Sequence, residues 1–429
     1  VGLEPALQRL ASRVGSANRD ELTVNGQPAE STTTSCTPSI MQTPDPADLI
    51  AALSAAGARV VVVSTGGGAR AIARLVTTPG SSAVVLEGLV PYARTAVDTL
   101  LGGHQESYCS PRTARRLSMQ AWQRCVDYGT PPNQAIGAAV VASLRTLTPK
   151  RGPHRIVVAV QTLAATTVAI LELEKHARTR DEEEDLAAAL VLARLAATAC
   201  PPKPLAAFAG LRPGERVETA SASAPVEWQR LLAGSTPALC ITAGQSAGSE
   251  LGAAAADKLL FPGSFDPLHD GHRTMARIAE EITERPVEYE LSIANVDKPL
   301  LDYHEIASRV AQFTDRTLWL TRAATFLEKI ALFPGSTFVL GADTYLRLAD
   351  PRYYGGSGEA AAAAVHTIAA QTRGLIVFGR VRDGEFTDPA KLDVPQPLRD
   401  ISYFVSQREF RMDVSSTALR QEHLACDAS

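Results

Sequence analysis

At 429 residues the chain exceeds what one hydrophobic core usually organises, so two domains are expected. A hydrophobic content of 45% with only 5% aromatic residues supplies aliphatic cores, and a net charge of −4 offers no basic surface for nucleic acid or anionic lipid. No apolar run reaches the roughly 18 residues of a bilayer span, and the six scattered cysteines (Cys36, Cys109, Cys125, Cys200, Cys240, Cys426) form no C-x-x-C pair or zinc spacing, as expected of free thiols in a reducing compartment.

The first residue is Val1, not methionine, and Leu7 to Val14 is mildly basic and amphipathic. That stretch reads either as the mature end left by an organellar transit peptide or as a helix of a shortened chain. A soluble intracellular protein of the cytoplasm or mitochondrial matrix is the expectation. Residues 1–45 are expected to form an extended arm, because residues 16–45 are rich in Ser, Thr, Asn and Pro without a period. Regular structure is predicted from Pro46: a helix over Ala47–Ala56, a strand over Arg59–Val63, the glycine run Gly66–Gly68, and a helix over Ala69–Leu75. A strand at Ala83–Glu87 and helices at Ala93–Leu101 and Pro111–Tyr128 follow, then strands at Ala135–Val141 and Arg155–Val160. The acidic block Asp181–Asp185 opens a long aliphatic helix ending near Ala197, where carboxylates complement the helix dipole. This alternation predicts an α/β domain over 46–200. Residues 201–256, rich in Pro, Gly, Ser and Ala, read as a linker with one short helix near Trp228–Leu232. A second α/β domain is expected over 257–429.

The most informative stretch of the second domain is Gly263-Ser264-Phe265-Asp266-Pro267-Leu268-His269-Asp270-Gly271-His272. It follows the apolar run Lys258–Phe261 and precedes the amphipathic segment Arg273–Ala279, an order that predicts strand, tight loop and helix. Two imidazoles delivered to a helix N-terminus, with its free N–H groups, suit a phosphate. Three further predicted strands end in polar residues. Ser292–Pro299 carries Lys298, one of only seven lysines; Thr337–Thr344 carries Gly341 and Asp343; Leu375–Arg380 runs into Arg380. The segment Met412–Arg420 caps a predicted helix with Ser415, Ser416 and Thr417, and Arg420 lies one turn in. Ligands of open parallel sheets sit beyond the carboxyl ends of the strands, so these groups are expected to converge on one crevice.

Gly263 to His272 resembles the G-x-F-D-P-x-H-x-G-H signature of the nucleotidyltransferase superfamily with the histidine-x-glycine-histidine motif. Ser415–Arg420 resembles that superfamily's S-S-T-x-x-R signature. The two motifs, with Gly341-Ala342-Asp343 between them, are most similar to nicotinamide mononucleotide adenylyltransferases. The R-T-x-G-I-S-T ending of cytidylyltransferases is absent, and pantetheine-phosphate adenylyltransferases usually carry Thr or Ser at the position of His269. The resemblance implies a Rossmann-like domain that transfers AMP from ATP to a mononucleotide phosphate, giving NAD and pyrophosphate when nicotinamide mononucleotide accepts. It implies that His269 and His272 bind the ATP phosphates and that Lys298 and Arg420 neutralise the triphosphate. Ser415, Ser416 and Thr417 would hold the triphosphate too, and Mg²⁺ would bridge phosphate oxygens. Gly263, Ser264, Phe265, Asp266, Gly271, Gly341, Asp343 and Arg380 would complete the nucleotide site. Tryptophan commonly stacks the nicotinamide ring in such enzymes, yet none follows Asp343; Tyr345, Tyr353 and Tyr354 are the aromatic residues at hand.

In the first half, Val61–Gly68, Thr78–Ser82 and Gly88–Arg94 resemble the C-terminal domain of competence-damage-inducible A (CinA)-like proteins, the nicotinamide mononucleotide amidohydrolase family. That family reads E-S-C-T-G-G, P-G-S-S and V-x-Y-S-N-x-x-K. Here Ser64 or Thr65 stands near the nucleophile position, Tyr92 is kept, Val97 replaces the lysine, and Val140–Ser143 replaces a G-x-A-G loop. A hydroxyl nucleophile needs a neighbouring base, so a degenerate α/β sandwich is expected, with surviving amidase activity as the alternative. The two-domain combination resembles a eukaryotic family of nicotinamide-nucleotide-adenylyltransferase-like proteins. The other reading is a non-catalytic accessory subunit, as a homo-oligomer or within a larger, mitochondrial assembly.

Overall fold

The computed structural model describes residues 44–199, 210–243, 248–250, 255–382 and 385–410. In chain order the first half contains α1 (Pro46–Ala55), β1 (Arg59–Thr65), α2 (Ala69–Val76), β2 (Val85–Leu89), α3 (Arg94–Leu101) and α4 (Pro111–Asp127). It continues with β3 (Ala135–Ser143), β4 (His154–Gln161), β5 (Ala165–Leu173), α5 (Arg180–Ala199) and β6 (Val217–Ser223). Their sheet has the order β2-β1-β3-β4-β5-β6. Strands β1, β2 and β3 are mutually parallel, while β4, β5 and β6 add antiparallel. α4 starts as its sequence dictates: Ser110 accepts the Thr113 N–H at the N-cap and Pro111 occupies the first turn. Gly137 of β3 lets α4 lie almost on the strand, since a Cβ there would meet the Ser118 carbonyl at 2.0 Å and the Trp122 nitrogen at 2.2 Å.

The second half begins with α6 (Val226–Ala233), β7 (Ala238–Ile241), β8 (Ser249–Glu250), β9 (Leu259–Pro262), α7 (Asp270–Thr283), β10 (Glu288–Ser292), α8 (Tyr303–Val310) and β11 (Leu318–Thr321). It ends with α9 (Phe326–Leu332), β12 (Thr337–Gly341), α10 (Ala342–Arg347), α11 (Gly358–Gln371), β13 (Gly374–Phe378), β14 (Arg380–Arg382), β15 (Glu385–Thr387), α12 (Gln396–Asp400) and β16 (Ser402–Val405). The main sheet runs β16-β13-β12-β9-β10-β11-β7-β8. Numbered among themselves, its six parallel strands read 6-5-4-1-2-3, the doubly wound order, with the direction of winding reversing between β9 and β12.

Both halves are therefore α/β, as expected, and the stretch expected as a linker is partly built into both sheets. β6 extends the first sheet and β7 pairs antiparallel with β11 of the second. β6 escapes a sequence reading because V-E-T-A-S-A-S has no buried face; its side chains are exposed or half-buried. The strand expected at Ser292–Pro299 lies earlier, at Glu288–Ser292, where Tyr289, Glu290 and Leu291 are buried. Residues 40–429 form one compact unit. One apolar cluster runs from Val61 and Trp122 through Trp228 to Phe261, Phe265 and Tyr303.

Candidate active site

β9 delivers the loop Gly263–Leu268 to the reversal point of the second sheet, and α7 begins directly after His269. Several groups hold the loop. The Gly263 N–H donates to the Glu290 carbonyl at 3.0 Å. Phe265 is wholly buried, edge-on to Phe261, Tyr289 and Phe313. Gln312, just beyond α8, donates to the Phe265 carbonyl at 2.9 Å and accepts the Leu268 N–H at 2.7 Å. Arg309 of α8 donates to the Ser264 carbonyl at 3.0 Å.

The histidines meet as the motif predicts. Their rings stack 3.8 Å apart, and the His269 N–H donates to Nδ1 of His272 at 3.3 Å. With Nδ1 accepting, the proton of a neutral His272 sits on Nε2. Burial, with His269 as a second cause, pushes the His272 imidazole down to about 3, and burial lowers His269 despite Asp270. At neutral pH His272 is thus an uncharged hydrogen-bond donor. Nδ1 of His269 is buried and, among the described residues, has no hydrogen-bond partner.

A cavity of about 780 Å³ opens beside this loop. Gly263, Ser264, Asp266 and Lys298 line it, with Tyr353 and Tyr354 at another wall. Among the described residues neither His269 nor His272 lines it. Lys298 is exposed on the loop that follows β10, in keeping with the polar turn expected there. Gly271 lies buried in the first turn of α7. Gly341 precedes α10 as its N-cap, and Asp343 in that helix pairs with Arg380 at the start of β14, both about half exposed. Tyr345 is core, with no exposure, so of the three tyrosines only Tyr353 and Tyr354 face the cavity. Ser415, Ser416, Thr417 and Arg420 lie outside the described residues.

The first half also forms part of this cavity, which the sequence reading did not foresee. Arg112, Arg115 and Arg116 occupy one face of α4 and line it. Arg112 binds Asp266 at 2.5 Å and Glu305 at 2.9 Å, and Arg115 binds the buried Asp302 through both oxygens at 3.1 Å. Glu305 is in turn held by Arg309 at 2.6 Å. The nearby guanidinium groups of Arg309 and Arg112 keep Glu305 below the ordinary carboxylate range, although burial opposes them. The i, i+3, i+4 spacing of the three arginines was the available signal; nothing in it named the partners.

The site of the first half is small and self-filled. A cavity of about 220 Å³ is lined by Ser64, Gly66, Gly67, Tyr92, Arg180 and Glu184, among others. Both Glu184 oxygens accept the Gly68 N–H at 2.9 Å, and one accepts the Arg70 N–H at 3.2 Å, so the helix N-terminus already holds a carboxylate. Ser64 is buried and donates to the Gly67 carbonyl at 3.0 Å. Val97 is core, and Val140–Ser143 lies within β3. Cys109, Cys125 and Cys240 are free thiols, and no helix of the described residues is long and apolar enough to cross a membrane.

No curated protein matches the chain. Solved structures of low similarity cover its N-terminal region. A competence-damaged protein (CinA) superfamily protein from Escherichia coli is 16% identical, over 35% of this chain and 86% of its own, with a TM-score of 0.30. The competence/damage inducible protein from Agrobacterium tumefaciens is 21% identical over 36% and 95%, with a TM-score of 0.29. A CinA superfamily protein from Enterobacter cloacae is 14% identical over 43% and 100%, with a TM-score of 0.29. Residues 260–422 match the cytidylyltransferase-like family model, and the C-terminal domain is accordingly a cytidylyltransferase-like domain of the nucleotidyltransferase superfamily.

Proposed function

We propose that the chain transfers an adenylyl group from ATP to the phosphate of a mononucleotide, with nicotinamide mononucleotide as the first acceptor to test, and releases pyrophosphate. The observation that carries this reading is the position of the Gly263–His272 loop at the winding reversal of a doubly wound sheet, beside a cavity wide enough for nucleotide ligands. An acceptor phosphate oxygen attacks the α-phosphorus in line, and the bond to the β-phosphate oxygen breaks. Such a reaction asks the protein for positioning and charge neutralisation. Lys298, which lines the cavity, supplies charge, and by the motif resemblance His272, neutral with its proton on Nε2, donates to a phosphate oxygen. By the motif resemblance, His269, Ser415, Ser416, Thr417 and Arg420 bind the triphosphate. Mg²⁺ would arrive with the nucleotide phosphates, as the resemblance implies.

The test is pyrophosphate release with ATP or CTP across a panel of phosphate acceptors, with His272→Ala as control. Turnover with ATP and nicotinamide mononucleotide, lost in the variant, is expected. Turnover only with another acceptor or with CTP would correct the substrates. A second reading, a non-catalytic accessory subunit, is favoured by the Glu184 carboxylate that fills the first half's helix N-terminus and by histidines that lie off the main cavity. Absence of nucleotide binding in a thermal-shift titration would establish that reading over the first.

A further inference from the structure

Four of the arginines that line the cavity, three on α4 and one on α8, differ in one respect. Arg112, Arg115 and Arg309 each bind carboxylates. Arg116 lines the same cavity, yet among the described residues it pairs with no carboxylate within 4 Å. Its Nη1 donates instead to the side-chain oxygen of Gln105 at 3.0 Å. Gln105 is itself 3% exposed and is anchored by donating to the Gly103 carbonyl. A neutral amide that is itself fixed orients a guanidinium without neutralising it. Burial is the first cause that lowers Arg116, followed by the like charge of Arg112, while the more distant Glu305 and Asp266 oppose them; an arriving anion would offset the two unfavourable effects.

The same loop of the first half contacts the loop that carries Lys298. Gly102, with φ +67°, ends α3 and touches the backbone of Asp297 and Lys298; a Cβ there would fall 1.3 Å from the Asp297 carbonyl oxygen. Residues 102–105 therefore contact the Lys298 loop at one end and orient Arg116 at the other. Two cations from two halves of the chain line one cavity, and Gly102 and Gln105, which contact the Lys298 loop and Arg116, are three residues apart.

We propose that Arg116 is a phosphate-binding residue which the first half contributes to the transferase cavity, so that this half completes the nucleotide site. The inference rests on the proposed transfer function for its biological ligand, a nucleotide phosphate, while its chemistry requires only a phosphoryl anion. A guanidinium fork suits two oxygens of such a group.

The experiment is calorimetric titration of the full chain with inorganic pyrophosphate, ATP, nicotinamide mononucleotide and the phosphate-free nucleoside, for wild type, Arg116→Gln and Arg116→Lys. Thermal melts of each variant report folding. Arg116→Gln is expected to weaken one or more phosphate ligands about tenfold to a hundredfold, with nucleoside binding and melting temperature unchanged. The lysine variant should fall between. Whether ATP or the mononucleotide is affected identifies which phosphate it holds. Phosphate affinities of Arg116→Gln within twofold of wild type would overturn the inference, even if adenylyl transfer is intact. Arg116-dependent pyrophosphate binding without any nucleotide turnover would uphold it and sink the transfer reading. Wild type that binds no phosphate compound would remove both.

Discussion

Arg112, on a helix of the first half, lies 2.5 Å from the carboxylate of Asp266, the aspartate of the phosphate-loop motif in the second half. The same guanidinium reaches Glu305, which holds Arg309, which in turn donates to the Ser264 carbonyl. The loop is therefore positioned from its own domain and from the neighbouring one. The adjacent helix is tied in the same way: Thr166 of β5 accepts the Tyr303 N–H at 3.1 Å, and the Tyr303 hydroxyl donates to the Leu163 carbonyl at 2.6 Å.

Replacing Arg112 by methionine leaves Asp266 and Glu305 dependent on Arg309 and Arg115. Glu305 is 9% exposed, so much of the desolvation cost remains, while the partial exposure of Asp266 and Arg112 softens it. A loss of about 2 kcal/mol is expected, read as a lower urea midpoint with unchanged slope. Arg112→Lys should recover only part, because one ammonium cannot replace the fork that reaches both carboxylates. An unchanged midpoint for Arg112→Met would remove this bridge from the account of stability.

Gly102→Ala forces a methyl group onto the Asp297 carbonyl at a left-handed backbone position. The Lys298 loop must move. Destabilisation of roughly 1–3 kcal/mol is expected, together with weaker binding of any phosphate ligand. Wild-type stability and affinity in this variant would show that the contact yields freely.

Glu184→Ala removes the acceptor for the Gly68 and Arg70 N–H groups. A loss of about 1–3 kcal/mol is expected, and Glu184→Gln, which keeps one acceptor oxygen, should lose less. Denaturant unfolding decides. Equal losses for the two variants would mean that shape, not hydrogen bonding, is what Glu184 provides.

The pH dependence follows from His272, whose folded-state value is depressed from 6.5 to about 3. A depressed imidazole contributes stability that is fully present above its unfolded value and is lost as pH falls toward the folded one. Between about pH 6.5 and 3, wild type should therefore lose stability that His272→Asn does not. Denaturation midpoints at stepped pH test this; parallel curves for the two proteins would exclude a buried neutral His272.

Local patterns carried much of the fold. The strand at Arg59–Thr65 and the helix at Pro111–Asp127 stand where valine runs, a serine cap and proline place them. The phosphate loop was legible because its residues are contiguous, and the stacked histidines follow from two ring positions three apart at a helix start. Lys298 was found in the polar turn expected for it, but the strand before it stands earlier, because the pairing that defines β10 ends at Ser292. The pairing of Asp343 with Arg380 was not legible, because the two lie 37 positions apart on different elements. β6 was read as linker because an edge strand with no buried face has no hydrophobic period.

The sequence by itself determined the chemistry on offer: two imidazoles at a helix N-terminus, a glycine- and proline-bearing loop before them, and α/β layers to carry them. Only the tertiary structure decided which groups face the cavity and which neutralise one another. Ion pairing between residues some 150 to 190 positions apart, such as Arg112 with Asp266 and Glu305, depends on how two sheets pack. No local pattern encodes that distance. The same packing leaves Arg116, among the described residues, with no carboxylate within 4 Å while Arg112 and Arg115 are paired, a difference invisible along the chain.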